Sequence, residues 1–360
     1  MKIAVIGAGA AGLMCACMLS TVHDVVVFDR NAEVGKKLLL TGNGRCNLTN
    51  LVKPDKFLES VSRGREFISS ALDGFTPNDT VEFFRTLGVE TVVEDDNRVF
   101  PKTGKAGAIR QALESYARSR GVQFKLGEVV ADIHTILSEF DAVIVATGGA
   151  SHPKTGSTGD GYEFARQLGH TVIPTRPSLC GLQFARVTGF QGTSVTVGAT
   201  LCDHTETGDI MFTKNGVSGP VIFRLTSKLA GHSVHGESLV IDFVPHIDKP
   251  MFDAGDKPFY AFRKYLPQTV ANWLVGLGFK PRDIKQVRVQ LADFAPIETA
   301  TITRGGVDTS QIDHETMQSK LVPNVYFIGE VLDVDALSGG FNLQIALSTA
   351  VACAKHIDRA

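Results

Sequence analysis

The chain opens with Lys2-Ile-Ala-Val-Ile-Gly-Ala-Gly-Ala-Ala-Gly12, and this stretch decides its fold. Residues 2–6 are a short apolar run that predicts a strand, and the residues from Ala10 to Ser20 favour a helix. A second apolar run, Val25 to Phe28, predicts another strand that ends at Asp29. Strand, tight turn, helix and strand in this order form a βαβ unit, so the sequence predicts an α/β domain.

The glycines of the turn have the spacing of a dinucleotide-binding fingerprint. Gly7 permits a sharp turn, Gly9 lets the backbone approach a pyrophosphate, and Gly12 lets the helix pack on the strand. The start of the helix, at Ala10 and Ala11, offers N–H groups and the positive end of the helix dipole to the phosphates. The alternative is a glycine-rich turn that only packs a helix against a strand.

Asp29 closes the second strand near the position of the acid that binds the ribose in such proteins. Its carboxylate would accept hydrogen bonds from the 2′- and 3′-hydroxyls, and it would repel a 2′-phosphate, which argues against NADP at this site. Arg30, the next residue, is also predicted to contact the cofactor. The two strands and Asp29 favour a dinucleotide site, but they do not distinguish FAD from NAD.

Two later strands favour FAD. The first is Val143-Ile-Val-Ala-Thr147-Gly148-Gly149, and the second is Val325-Tyr-Phe-Ile-Gly329-Glu330. Together with the fingerprint they resemble the glutathione-reductase type of FAD domain, in which the last acidic turn meets the ribityl chain. Thr147, Gly148, Gly149, Gly329 and Glu330 are therefore predicted cofactor contacts.

Composition excludes several classes of partner. Lys and Arg number 36 against 38 Asp and Glu, so there is no electrostatic footprint for nucleic acid, and a small-molecule substrate fits better. The six cysteines have neither CxxC nor zinc-type spacing, so no metal site is predicted and the thiols suit a reducing cytosol. Three glycines interrupt the apolar N-terminus, and we expect a cytoplasmic protein without a membrane span.

The pattern of predicted secondary structure changes near Pro177, where short β-rich runs begin, and an α/β pattern returns at Val325. We therefore predict a Rossmann-type FAD-binding domain, built from both ends of the chain, with an inserted β-rich domain and a small helical segment. The predicted boundaries are 1–177 and 300–360 for the FAD domain, 178–250 for the β-rich domain, and 251–299 for a helical subdomain that returns to the FAD domain.

The most distinctive segment is Gly35-Lys-Lys-Leu-Leu-Leu-Thr41-Gly-Asn-Gly-Arg-Cys-Asn47-Leu-Thr-Asn50. With Arg98-Val-Phe-Pro101, Phe212-Thr-Lys-Asn-Gly-Val-Ser-Gly-Pro220, Thr303-Arg-Gly-Gly-Val307 and Gly339-Gly-Phe-Asn-Leu-Gln344, it resembles the BaiN-like family of FAD-dependent oxidoreductases, to which aminoacetone oxidase also belongs. The resemblance covers essentially the whole chain and implies the same domain plan. Lys214 and Ala336 depart from the family pattern, in which His and Gly are usual, so the resemblance does not carry over a substrate.

Several further FAD contacts accompany the resemblance. The loop of the distinctive segment could form a cradle, because glycines expose N–H groups, polar side chains add donors and Arg45 could meet phosphate or developing negative charge. The alternative is a surface turn capped by its own side chains. The predicted contacts in and beyond this loop are Lys36, Lys37, Thr41, Gly42, Asn43, Gly44, Arg45, Asn47, Val130 and Asp335.

Gly339-Gly340-Phe341-Asn342 opens the last predicted helix, and Leu343 follows. In flavoproteins of this type, such a helix start faces the N1–C2=O edge of the flavin, where free N–H groups and the helix dipole stabilise the negative charge that reduction brings. Gly340, Phe341, Asn342 and Leu343 are therefore predicted contacts. The alternative is an ordinary glycine-capped helix.

The catalytic candidates are His152, Arg45 and Cys46. His152, in a loop after the Thr-Gly-Gly turn, could shuttle protons near the flavin or could be an exposed loop histidine. Cys46 lies beside Arg45, which could depress its pKa, but it lacks a nearby partner cysteine, and a packed thiol is the favoured interpretation.

The sequence holds no second GxGxxG, so we expect NAD(P)H to dock transiently over the flavin as the electron donor. The predicted function is NAD(P)H-driven hydride transfer through FAD to an activated C=C bond of a small organic substrate. Two alternatives stay open: an FAD-dependent amine (aminoketone) oxidase that uses O₂, and a flavin-bearing binding or regulatory protein.

Overall fold

The computed structural model describes residues 1–19, 22–229, 232–253 and 257–359. Ser20, the last residue of the first predicted helix, lies outside the described residues, as do residues 254–256 of the predicted helical subdomain. The chain divides into two compact units. The first comprises Met1–Arg176 and Ile302–Ala360, and the second comprises Pro177–Thr301.

The strands, in chain order, are β1 Lys2–Ile6, β2 Asp24–Asp29, β3 Thr49–Asn50, β4 Val61–Arg63, β5 Thr91–Val93, β6 Arg98–Pro101, β7 Gln123–Leu126, β8 Ala142–Val145, β9 Val172–Ser178, β10 Leu182–Phe184, β11 Ser194–Leu201, β12 His204–Thr213, β13 Gly216–Ser218, β14 Ser238–Asp242, β15 Val287–Phe294, β16 Ile302–Val307, β17 Val325–Phe327 and β18 Asp335–Ala336. The helices are α1 Ala10–Leu19, α2 Pro54–Glu59, α3 Arg65–Gly74, α4 Pro77–Thr86, α5 Ala106–Ser119, α6 Ile133–Glu139, α7 Asp160–Gln167, α8 Pro220–Lys228, α9 Pro258–Arg263, α10 Gln268–Gly276 and α11 Phe341–Ile357.

A five-stranded sheet in the order β17-β8-β1-β2-β7 forms the centre of the first unit. All four strand pairs are parallel. The three inner strands are almost entirely buried, as expected for a parallel sheet that is covered on both faces. The predicted Rossmann-type fold is therefore confirmed, and the last strand, β17, brings the C-terminal part of the chain into the same sheet as β1.

Helices α1 and α11 pack against each other. Most of α1 is buried, and the thiol of Cys15 in α1 lies beside that of Cys353 in α11. Because parallel strands all end at one edge of the sheet, the turns that follow β1, β2, β8 and β17 meet there. These are the turns that carry the predicted site residues.

The sequence from Phe57 to Leu87 predicts helices that are broken near Pro77, but the structure contains a strand in this stretch. Here β4 separates α2 from α3 and pairs with β18 in an antiparallel register. The pairing partner is far away in the sequence, so local periodicity contains no signal for it.

The second unit contains a closed barrel in the order β10-β13-β12-β11-β14-β15, in which neighbouring strands are antiparallel. Burial alternates along β11 and β12, as is typical of strands with one face toward a core. Trp273 of α10 packs edge-on against Phe212 of β12, with ring centroids 5.2 Å apart. The β-rich sequence of the inserted region thus folds as a barrel.

Across the described ranges, none of the helices combines the length and the apolar character that spanning a bilayer requires.

His170, between α7 and β9, is a buried titratable group of the first unit. Only 4% of its surface is exposed, and its Nε2 lies 2.8 Å from the hydroxyl of Ser319. Burial lowers the pKa of His170 below its ordinary value. Below the ordinary histidine pKa of about 6.5, the unfolded chain therefore binds this proton more readily than the folded chain does.

We expect the stability of the first unit to fall as the pH is lowered through about 6.5, until the folded pKa is passed, and we expect His170→Gln to flatten this decline. Hydrogen exchange of peptides from the first unit, measured over this pH range for both proteins, is the test. An identical pH dependence in the two proteins would show that His170 is not the group responsible.

Candidate dinucleotide site

The glycine-rich turn joins the end of β1 to the start of α1. Gly7 has a φ of +110°, and a Cβ on it would lie 2.4 Å from the carbonyl oxygen of Ala146. A Cβ on Gly12 would lie 1.9 Å from the carbonyl oxygen of Gly7. These two glycines are therefore required for the packing of the turn and the helix on the sheet, as their spacing predicts.

Gly9 differs from its two neighbours in the motif. Among the described residues, nothing outside its immediate chain neighbours lies within 4 Å of the position of a Cβ on Gly9. The first intrahelical hydrogen bond runs from the Leu13 N–H to the Gly9 carbonyl, 2.9 Å away, so the N–H groups of Ala10 and Ala11 precede the helical ladder. Open space in front of helical N–H groups is suited to a phosphate.

Asp29 is held beside this turn by three hydrogen bonds. Its Oδ2 accepts from the Ala8 N–H at 2.8 Å, and its Oδ1 accepts from the backbone and side-chain N–H groups of Asn31 at 2.8 and 2.9 Å. A carboxylate has about four acceptor positions, so capacity remains for a ribose hydroxyl. The carboxylate also has a structural role that the sequence did not indicate, because it fastens the end of β2 to the glycine-rich turn.

The other two residues predicted at the adenosine end are Arg30 and Val130. Arg30 donates to Thr158 Oγ1 and pairs with Asp160, both at 2.7 Å, so its guanidinium fastens the loop after β8. Val130 is half-buried and follows β7, in a segment whose residue Glu128 donates its N–H to the Asp29 carbonyl. The structure thus places the segment just before Val130 against Asp29, and it gives Arg30 protein partners.

Lys37 and Glu330, both predicted contacts, form an ion pair of 2.7 Å. Lys37 Nζ also donates to Ser151 Oγ at 2.7 Å, and Glu330 Oε1 accepts from the Thr303 N–H at 2.8 Å. Lys36, the neighbour of Lys37, is half-buried. The sequence did not indicate a role for Ser151 or Thr303, although Thr303 lies in a stretch that carries the family resemblance.

Close packing explains the glycines around this network. A Cβ on Gly149 would lie 2.4 Å from Thr303 Oγ1 and 3.0 Å from Glu330 Oε1. Gly329 has a φ of +73°, and a Cβ on it would lie 2.8 Å from the Cβ of Ala11, so the end of β17 lies against α1. Gly148 also has a positive φ, and the hydroxyl of Thr147 is buried.

His152 lies in the loop after β8 and is half-buried, with a left-handed φ of 55°. Burial, and then the positive charge of Lys37, lower the pKa of His152 below its ordinary value, although Glu330 opposes this. The imidazole is therefore neutral at neutral pH.

The loop from Thr41 to Asn47 closes on itself. Thr41 Oγ1 donates to the Leu38 carbonyl at 2.6 Å, and the Thr41 carbonyl accepts from the Cys46 N–H at 2.9 Å. Gly42, Asn43 and Gly44 all have positive φ, and all three are exposed. This part of the loop therefore has the geometry of the self-capped turn.

The two other candidates in this loop, Arg45 and Cys46, are in contact with protein groups. Arg45 is exposed, forms an ion pair with Glu94 and stacks on Phe100, with its guanidinium carbon 4.3 Å from the ring centroid. Cys46 is fully buried, and burial raises the pKa of its thiol to about 12. Arg45 pairs with Glu94, and Cys46 has the surroundings of the packed thiol that the sequence favours, so it offers no thiolate at neutral pH.

The start of α11 has the geometry of an anion-binding helix terminus. Gly340 precedes the helix with a φ of +96°, and a Cβ on it would lie 2.5 Å from the Thr49 carbonyl oxygen. The first intrahelical bond is from Gln344 N–H to the Gly340 carbonyl at 3.0 Å, which leaves the N–H groups of Phe341, Asn342 and Leu343 ahead of the ladder. Phe341 itself is buried against Phe57.

The side chains of Asn342 and Asp335 bind protein groups. Asn342 Oδ1 accepts from the Ala336 N–H at 2.9 Å, and its Nδ2 donates to the Ala336 carbonyl at 2.8 Å. Asp335 is almost fully buried and accepts two hydrogen bonds from Arg304, at 2.8 and 2.6 Å. The prediction included both residues as cofactor contacts without indicating these partners; Asn342 retains its backbone N–H for that purpose.

The residues of this unit fit FAD. Open space at Gly9 lies before one helix start, Asp29 lies beside it, and a second helix start at Gly340 lies beside Asn47. Within the described part of the chain, Asn47 Oδ1 is buried and has no hydrogen-bond donor. The fold and these features define a Rossmann-type dinucleotide-binding protein.

Comparison with known proteins identifies the family. Residues 1–356 match the family described as HI0933-like protein Rossmann domain. The chain is 33% identical over 400 residues to the ribosomal RNA dihydrouridine synthase of Haemophilus influenzae, covering 99% of this chain and 98% of that protein. It is 29% identical over 401 residues to the 3-dehydro-bile acid delta(4,6)-reductase of Clostridium scindens, covering 97% of each.

A solved structure shares the fold: the 3-ketosteroid delta1-dehydrogenase from Sterolibacterium denitrificans superposes with a TM-score of 0.53 at 12% identity, covering 99% of both chains. The chain belongs to the HI0933-like family of FAD-binding Rossmann proteins, and it is an FAD-dependent oxidoreductase. This confirms the BaiN-like resemblance of the motifs.

Proposed function

We propose that this enzyme uses FAD to reduce a C=C bond conjugated with a carbonyl group, with NAD(P)H as the electron donor. The supporting observation is its full-length similarity to two proteins whose names describe saturation of such a bond. Dihydrouridine is uridine with its 5,6 double bond saturated, and a 3-dehydro delta(4,6) steroid carries C=C bonds conjugated with a 3-ketone. The shared element is the enone.

The chain supplies binding and orientation to this chemistry. Bound FAD accepts and delivers hydride equivalents. The N–H groups at the start of α1 would hold the pyrophosphate, Asp29 the ribose, and the N–H groups at the start of α11 the pyrimidine edge of the flavin. The neutral imidazole of His152 is the candidate hydrogen-bond donor for a substrate carbonyl, because a neutral ring keeps one N–H.

Anaerobic stopped-flow absorbance tests the direction of electron flow. We expect NADH or NADPH to bleach the bound flavin, and a small α,β-unsaturated ketone to restore its colour. A saturated ketone of the same carbon skeleton is the matched control and should restore nothing.

The alternatives have different signatures in the same experiment. Rapid bleaching by an aminoketone, followed by peroxide on admission of air and without a response to either nicotinamide, would favour an amine oxidase. A flavin that no donor bleaches would favour a binding or regulatory protein.

A second candidate substrate is a uracil base in ribosomal RNA. The 33% identical relative with that name matches almost the entire chain. The balanced charge counts against strong long-range attraction to RNA, so this candidate predicts a shallow dependence of binding on salt. Incubation with NADPH and unmodified ribosomal RNA, followed by mass spectrometry of nucleosides, separates the two: dihydrouridine supports RNA, and reduction of small enones alone supports a small molecule.

A further inference from the structure

The segment from Asn47 to Asn50 and the start of α11 form one rigid junction. Asn50 Nδ2 donates to the Gly339 carbonyl at 3.0 Å, and Thr49 Oγ1 donates to Gln344 Oε1 at 2.6 Å. Gly340 approaches this segment so closely that a Cβ on it would lie 2.5 Å from the Thr49 carbonyl oxygen and 2.9 Å from Asn47 Oδ1. We name this arrangement the Asn47 junction. It joins two motifs that are almost 300 residues apart in the sequence.

Gln344 holds the first turn of α11 in place within the junction. Its side chain is fully buried, and its Oε1 accepts from the hydroxyls of Thr49 and Thr80, at 2.6 and 2.8 Å. Its Nε2 donates to the Phe75 carbonyl at 3.2 Å and to Ser348 Oγ at 3.0 Å. All four hydrogen-bonding positions of the amide are used, so the helix start cannot rotate away from Asn47 without loss of buried hydrogen bonds.

Asn47 Oδ1 is a hydrogen-bond acceptor of this junction that has no donor. The atom is buried, and within the described residues no donor reaches it. A buried carbonyl without a donor is unfavourable, and such groups in native structures commonly mark a place for a ligand or water. The other polar side chains of the two motifs have partners or are exposed: Asn342 binds Ala336, Arg45 binds Glu94, and Asn43 is exposed.

The junction therefore presents one acceptor beside several donors, because the N–H groups of Phe341, Asn342 and Leu343 precede the helical ladder. The pyrimidine edge of an isoalloxazine has the complementary pattern: the N3–H donor is next to the C2=O acceptor. We propose that Asn47 Oδ1 accepts the hydrogen bond of the flavin N3–H, while the start of α11 donates to C2=O. The proposal deepens the FAD site of the proposed function and is independent of the substrate and the electron donor.

The first test compares FAD with 3-methyl-FAD, in which the N3–H donor is absent. We expect the apoprotein to bind FAD about tenfold more tightly than 3-methyl-FAD, which is the scale of one hydrogen bond in a buried site. Asn47→Ala should bind FAD about tenfold more weakly and should lose the preference. Asn78→Ala, which changes an exposed asparagine of α4 in the same unit, is the matched control and should keep it.

The second test follows the spectrum of the bound, oxidised flavin as the pH is raised. An acceptor on N3–H disfavours its deprotonation, so the N3–H pKa should lie above that of free FAD in the wild type and should move toward the free value in Asn47→Ala. This readout needs no turnover.

Equal affinity of the wild type for FAD and 3-methyl-FAD, or an N3–H pKa unaffected by Asn47→Ala, would overturn the assignment. Neither result bears on bleaching by NADH or NADPH, so failure of this proposal is distinguishable from failure of the proposed function.

Discussion

Replacement of Gly9 by valine should yield a folded protein that binds FAD at least about a hundredfold more weakly, which corresponds to about 2.8 kcal/mol. Among the described residues, a Cβ on Gly9 meets nothing within 4 Å outside the adjacent chain, so the polypeptide tolerates a side chain there. The pyrophosphate would be excluded, because the branched side chain would occupy the space in front of the helical N–H groups. The purified variant should be largely colourless, and calorimetry with added FAD measures the loss.

Two further variants serve as comparisons for Gly9→Val. Gly276→Val, in the second unit, also has open space at its Cβ and should keep the yellow colour, which controls for the effect of a valine as such. Gly12→Val should impair folding, since its Cβ would lie 1.9 Å from a backbone oxygen. A fully flavinated Gly9→Val would show that the pyrophosphate binds elsewhere.

Asp335→Ala should destabilise the first unit by about 3–5 kcal/mol, the scale of losing one partner of a buried ion pair. The Asp335 side chain is 1% exposed and that of Arg304 is 13% exposed, and the variant removes the carboxylate that accepts two of the hydrogen bonds of Arg304. The pair joins β16 to β18, and Ala336 of β18 binds the Asn342 side chain at the start of α11. Hydrogen exchange of peptides from the first unit measures the loss, with peptides from the second unit as the internal reference.

Asp160→Ala is the matched control for this variant. It breaks the pair of Asp160 with Arg30, whose side chains are 34% and 30% exposed, and it should cost no more than about 1 kcal/mol. The measurement is made on the FAD-free protein. Unchanged stability of FAD-free Asp335→Ala would mean that the carboxylate acts through the cofactor, as the sequence alone predicted.

Much of the fold could be predicted from the sequence because its signals are local. The apolar runs of β1 and β2, the glycine spacing and the acid at position 29 lie within thirty residues, and each constrains the backbone at its own position. The change in the pattern of predicted secondary structure near Pro177 is likewise a local signal, and the structure contains a barrel after that residue. The strand β4 was missed because its partner, β18, is distant in the sequence.

In the candidate site, too, some features follow from local sequence and others depend on remote segments. The sequence alone determined which turns lie at the carboxyl edge of the parallel sheet, where we propose that the cofactor binds, because parallel strands end together and the turns after them meet. The direction of each polar side chain depends on neighbours from remote segments, and only the tertiary structure decided it. Asp335 and Arg45 turn to protein charges because Arg304 and Glu94 satisfy them there, whereas Asn47 keeps a buried acceptor because Gly340 packs closely against it and, among the described residues, no donor reaches it.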